Sequence, residues 1–213
     1  MPKTRILLLL MVLVLCFAWF TSPGIWKKTK ALHIESSSKN YTIAPIHLSI
    51  LKLKATEAKK FAQLNKYNTQ ICFLIDMSLP SGQNRFFVYD FQKDTVRNAG
   101  VVTHGNCNQY WLEGRKYDNK PGCGCTSLGK YKVGYSYRGK FGLAYKLYGL
   151  DKTNSNAFDR FVVLHSHACV PETEIKDDIC QSNGCPTVAP GFLHQLKPII
   201  DQSPHPVLLW IYE

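Results

Sequence analysis

Ile71-Cys72-Phe73-Leu74-Ile75, the turn-rich Pro80-Ser81-Gly82-Gln83-Asn84, and Arg85-Phe86-Phe87-Val88-Tyr89-Asp90-Phe91 form the stretch that decides the fold class. Two short apolar, aromatic-rich runs separated by turn chemistry read as neighbouring strands. Strand runs span about 4–8 residues, whereas helices need at least 10–12. Pro, Gly, Asn and Ser supply the dihedrals and local side-chain bonds that reverse the chain between them. The pattern continues downstream. Thr95 to Thr103, Tyr131 to Tyr137 and Gly142 to Leu147 read as strands, Phe161 to Leu164 as a buried strand ending at His165, and Val207 to Tyr212 as a last strand. The expected fold is mostly β, a β-rich α+β domain with a few short helices.

Two helices are expected beside the strands. From Leu48 to Leu64 the apolar residues Leu48, Leu51, Ala55, Ala58, Phe61 and Ala62 recur mostly three or four apart, with lysines on the other face. Pro190 to Ile200 forms a second, shorter one. Gly105 to Thr126 reads as a long loop beginning just after His104 and carrying Cys107, Cys123 and Cys125; a loop of that length covers a site or is stapled.

The N-terminus reads as an export signal. Lys3 and Arg5 precede an apolar run from Ile6 to Phe20, and the uncharged stretch extends to Trp26. It is an uncleaved anchor, a cleaved signal, or a lipoprotein signal around Leu13-Val14-Leu15-Cys16. Residues 27–46, Lys-rich and then Ser-rich, are expected to be a linker, and 47–213 a single folded domain. The expected location is the cell envelope, periplasmic or extracytoplasmic, with the membrane as a partner through the N-terminal segment. Eight cysteines outside the cytosol point to disulfides. Setting aside Cys16 and Cys185 leaves six, which allow fifteen pairings and no assignment.

Composition narrows the function. With 45% hydrophobic and 19% charged residues the chain is an ordinary globular protein. The net charge of +11 is scattered, with no aromatic-arginine stripe and no nucleic-acid module, so nucleic acid is not an expected partner. Cys123-x-Cys125, His165-x-His167 and Cys169 contain zinc-type ligands, but the one-residue cysteine gap is not the usual structural-zinc spacing. No metal and no cofactor is expected, and the sequence does not speak to oligomeric state.

The chemistry concentrates in Leu164-His165-Ser166-His167 and Ser182-Asn183-Gly184-Cys185-Pro186. A thiol nucleophile needs a base and nearby N–H groups for the oxyanion it creates. Cys185 is the candidate nucleophile and His165, held at a strand end, the candidate base. Gly184, Ser182 and Asn183 shape the loop, with the N–H groups of Gly184 and Cys185 as oxyanion donors. His167 and His104 stand at the periphery. On spacing alone, Cys185 is equally readable as half of a disulfide.

Several segments together carry a family likeness. They are Ile75-Asp76, Phe87-Val88-Tyr89-Asp90, Val102-Thr103-His104-Gly105, Thr126-Ser127-Leu128-Gly129 with Tyr131-Lys132-Val133-Gly134, Gly149-Leu150-Asp151, Val162-Val163-Leu164-His165, and Ser182 to Val188. With these, Leu74 to Ile200 resembles the YkuD-like L,D-transpeptidases of peptidoglycan, nearer their divergent murein L,D-transpeptidase catalytic domain branch. The resemblance implies an L,D-transpeptidase-like β-sandwich and cysteine acyl transfer on stem peptides, with Cys185 as nucleophile and His165 as general base. The better-known branch has histidine two residues before the cysteine, arginine two after it, and glycine after the base; here these are Asn183, Thr187 and Ser166. Two further readings accompany it. One is a peptidoglycan hydrolase or L,D-carboxypeptidase using the same Cys/His pair. The other is a non-enzymatic, disulfide-stapled envelope-binding module.

Overall fold

The computed structural model describes residues 43–213. The expected signal or anchor segment, Cys16 and most of the expected linker lie outside the described residues. Helix α1 spans Pro45–Leu64, so its first turn begins in the expected linker. Pro45 suits that place, because proline's fixed φ is helical and the first turn needs no N–H from it. Leu51, Ala55, Ala58 and Ala62 are buried, a stripe at the 3.6-residue period. Three of these four are alanines, which lets the helix lie close on the sheet.

The strands are β1 Ile71–Asp76, β2 Phe86–Asp90, β3 Thr95–Gly100, β4 Gly129–Gly139, β5 Gly142–Gly149, β6 Val163–Ser166, β7 Thr187–Val188 and β8 Leu208–Tyr212; helix α2, Pro190–Asp201, lies between β7 and β8. All eight share one sheet in the order β3-β2-β1-β8-β4-β5-β6-β7. The β1–β8 and β6–β7 pairs are parallel, and the others antiparallel. The expected mostly-β domain with short helices is what forms.

The continuous apolar run of β1 now has a reason. Phe73 and Ile75 join Phe86, Val88, Leu209, Ile211 and the α2 residues Phe192, Leu193 and Leu196 in one core. Cys72 and Leu74 face the other way, with Phe87, Tyr89, Leu208, Trp210 and the α1 stripe. Both faces are covered, so period-two alternation disappears from the sequence. Further along the sheet, Tyr145, Leu147 and Leu164 point into the first core. Their alternates Ala144 and His165 are paired across the β5–β6 ladder, and therefore share the opposite face.

The long loop is stapled, as its length suggested. Cys107 pairs with Cys125, and Cys169 with Cys180. Cys72, Cys123 and Cys185 are free. Cys72 lies inside the α1–sheet core as a small apolar residue. Phe161 departs from expectation. It precedes β6, at φ 56° and 74% exposed, so the buried strand starts at Val163.

Candidate active site

The loop before Cys185 is fastened to the segment around Val102. Val102 bridges Val188, and Gly105 bridges Ser182. Thr103 N–H donates to Thr187 O at 2.9 Å, and Ser182 N–H to His104 O at 2.9 Å. The Cys185 carbonyl accepts from Ser182 Oγ at 2.6 Å and Thr103 Oγ1 at 3.2 Å. Ser182 therefore works as an internal brace. It also takes the Gly184 N–H at 3.2 Å, which removes that group from the pair of expected oxyanion donors. The Cys185 N–H has no hydrogen-bond partner among the described residues. Asn183 is exposed at the loop tip.

Gly184 cannot be replaced by a residue with a Cβ without movement. Its φ is 102°, and a Cβ would lie 2.6 Å from the Cys125 carbonyl oxygen. The disulfide loop thus supplies the floor on which the Gly184–Cys185 turn rests.

The parallel β6–β7 ladder pairs His165 with Thr187, two residues beyond Cys185. The His165 ring is buried and held at both nitrogens. Nδ1 is 3.1 Å from Ser166 O, an acceptor only, so Nδ1 carries the proton. Nε2 of the neutral ring is then bare, and the Thr187 hydroxyl, 3.0 Å away, donates to it. Phe141 stacks on the same ring at 5.2 Å between centroids, with planes 16° apart. Phe141 also meets His167 edge-on at 5.3 Å, so both histidines lie on one face, as strand alternation requires.

The Cys185 thiol points to the Phe161 carbonyl at 3.8 Å and makes no hydrogen bond to His165. Burial pushes the thiol pKa up, opposed by a hydrogen bond from the Val163 main chain and by the Arg160 guanidinium. Burial pushes His165 down, which keeps the ring neutral near pH 7; the Ser166 carbonyl opposes this shift and His167 adds to it. The shifts leave both the Cys185 thiol and the His165 ring uncharged near neutral pH.

His104 reaches the loop through its backbone, while its ring turns away. Its Nδ1 lies 3.1 Å from the buried guanidinium of Arg85, and its Nε2 has no partner among the described residues. Burial first, then Arg85 and Arg115, lower its pKa to about 4. Arg85 also donates twice to Val102 O, at 2.9 and 2.8 Å, and so clamps the back of the segment that holds the Cys185 loop. Sequence reading missed Arg85, Thr103, Phe141 and Arg160 as parts of this site. Arg85 alone left a trace, a charged residue opening an apolar run. Among the described residues no group of three or more His, Cys, Asp or Glu side chains is arranged to hold a metal ion.

Residues 43–212 match the family model of the L,D-transpeptidase catalytic domain, and the chain belongs to that family. It is thereby of the peptidoglycan-related L,D-transpeptidase type. No curated protein matches the chain. Among solved structures it is similar to an L,D-transpeptidase from Xylanimonas cellulosilytica at 16% identity and TM-score 0.38, covering 72% of this chain and 68% of that one. An L,D-transpeptidase from Mycobacterium smegmatis is 12% identical with TM-score 0.40, covering 68% of this chain and 59% of that one. The helical cell shape determining protein Pgp2 from Campylobacter jejuni is 11% identical with TM-score 0.41, covering 76% of this chain and 55% of that one.

Proposed function

We propose that the protein is a cysteine-dependent peptidoglycan L,D-transpeptidase of the cell envelope, with Cys185 as nucleophile and His165 as base. The observation that carries this reading is the β6–β7 register. It sets the base-competent Nε2 of His165 opposite the strand that begins two residues after a free cysteine.

The thiol proton passes to His165 Nε2 once the Cys185 side chain swings from the Phe161 carbonyl toward the ring. The Thr187 hydroxyl then turns to the Cys185 carbonyl, 3.4 Å from it. Sulfur attacks the carbonyl carbon between the L-centre and the terminal D-residue of a stem peptide. The oxyanion meets the free N–H of Cys185. The C–N bond breaks, the amine leaves with the proton from the imidazolium, and a thioester remains. An amine of a second stem attacks the thioester carbon and gives its proton to His165; the C–S bond breaks, and the released thiolate takes that proton to restore the thiol. The domain division into an N-terminal signal or anchor, a linker and this catalytic domain belongs to the same reading, because stem peptides lie outside the cytosol.

Product analysis tests it. With a stem tetrapeptide as donor and a second stem as acceptor, the protein releases the terminal D-residue and forms a cross-linked dimer. Release of the D-residue with water as the only acceptor assigns the hydrolase reading instead. No release under any condition contradicts both.

A further inference from the structure

Arg160 is held beside the Cys185 turn, and its guanidinium is hydrogen-bonded to no carboxylate. Its guanidinium donates to Asp118 O at 3.0 Å, to Ser127 Oγ, to Cys123 Sγ at 3.2 Å and to Cys125 O. Three of these four acceptors are uncharged oxygens, two main-chain carbonyls and one hydroxyl. Among the described residues no carboxylate forms an ion pair with it. Asp118 offers its carbonyl; its carboxylate is taken by the N–H groups of Asn119 and Lys120, at 2.7 and 3.1 Å, and feels Arg160 only as the last of the influences that hold its pKa down. Nη2 lies 3.3 Å from where a Cβ on Gly184 would sit. The next residue, Phe161, supplies the carbonyl that faces the Cys185 thiol at 3.8 Å.

A half-buried cation without a hydrogen-bonded counter-ion costs free energy, and an anion formed beside it recovers part of that cost. Two groups at hand can become one: Cys185, and Cys123 at 3.2 Å. The reaction read above creates negative charge at Cys185. We propose that Arg160 is a positioning residue that supplies the counter-charge for the Cys185 thiolate. The proposal rests on the reading of Cys185 as nucleophile. The other groups facing the thiol are neutral: the Phe161 carbonyl, the Val163 main chain, and the phenol of Tyr131 on β4, which burial keeps protonated. His165, kept neutral by burial, pairs with Thr187 across the β6–β7 ladder and makes no hydrogen bond to the thiol. Arg160 opposes the effect of burial on the thiol, as a nearby cation must.

The test is site-resolved alkylation of the full chain, read by peptide mapping so that Cys185 and Cys123 are followed separately. Iodoacetamide rates are measured over about pH 6 to 10 for the wild type, Arg160→Gln and Arg160→Lys, with circular dichroism confirming the fold. In Arg160→Gln the Cys185 profile moves up by about one pH unit, and alkylation near neutral pH slows about tenfold; Arg160→Lys recovers most of the rate. A second reading needs no variant. In the wild type, the rate ratio of anionic iodoacetate to neutral iodoacetamide at Cys185 exceeds that of free cysteine and falls toward it in about 1 M salt. A Cys185 profile in folded Arg160→Gln that superimposes on the wild type overturns the proposal. So does a wild-type ratio equal to that of free cysteine, or a preference that appears on Cys123 alone. None of these readings uses substrate. An Arg160-dependent thiol that forms no adduct with a stem peptide therefore upholds this inference and contradicts the transpeptidase reading.

Discussion

The Thr187 hydroxyl donates to Nε2 of His165 across 3.0 Å, at the position where the better-known branch of the family carries arginine. The His165 imidazole is therefore held at both ends, by Ser166 O on Nδ1 and by a neutral hydroxyl on Nε2. The hydroxyl favours the neutral ring, because it donates to the nitrogen that protonation would fill.

Thr187→Val keeps the β-branched shape and removes the donor. The hydroxyl leaves Nε2 when the thiol proton arrives, so this bond of about 0.5–1.5 kcal/mol belongs to the ground state, and its loss leaves kcat/KM at the pH optimum unchanged or raises it up to about tenfold. The ring is neutral above its lowered pKa, and activity is lost as pH falls through that value. A donor that binds the neutral ring holds its pKa down, so the acidic limb of the pH–rate profile moves to higher pH in the variant. An acidic limb that stays in place shows that Thr187 does not set the proton affinity of His165.

Gly184→Ala places a Cβ 2.6 Å from the Cys125 carbonyl at a φ of 102°. The loop must shift or the backbone must strain, a cost of about 1–3 kcal/mol. Thermal unfolding falls by several degrees. Transpeptidation drops more steeply than stability, because Cys185 moves with the loop. A variant with wild-type Tm and rate contradicts the packing of Gly184 against the disulfide loop.

His104 is buried, neutral and lowered to about pKa 4, against an ordinary value of 6.5. In the window between these values the unfolded chain binds the extra proton. Stability is therefore complete above about pH 6.5 and declines as pH falls toward 4, by on the order of 3 kcal/mol in all. His104→Asn keeps an acceptor near Arg85 and removes the titration. Its urea midpoint is lower than wild type at neutral pH but changes less between pH 6.5 and 4.5. Parallel pH dependences for the two proteins rule out His104 as the source.

Much of the fold was legible because local patterns carry it. The β1 run, the α1 stripe, the turn at Pro80 to Asn84 and the short α2 are all sequence-local signals. Phe161 misled because an apolar residue before an apolar strand reads as its first member, whereas the chain turns there through a positive φ. Cysteine pairing was not legible: Cys72 counted as a disulfide candidate, but it faces α1 inside a core. At the site, Cys185, His165 and the Ser182 brace lie in recognisable segments. The partners Thr187, Thr103 and Arg85 act through the parallel β6–β7 register and the docked 102–105 segment, and Arg160 through the loop from Asp118 to Ser127. Those contacts join residues far apart in sequence, and no local period marks them.

The central claim is that the Cys185 sulfur becomes acylated with His165 as its base. Intact-mass analysis of the protein incubated with a stem tetrapeptide tests this most directly. The account predicts one adduct with the mass of the tripeptidyl acyl group, mapped to Cys185, absent from Cys185→Ala and slowed about a hundredfold or more in His165→Ala. No adduct on the wild type, or an equal adduct on Cys185→Ala, contradicts it.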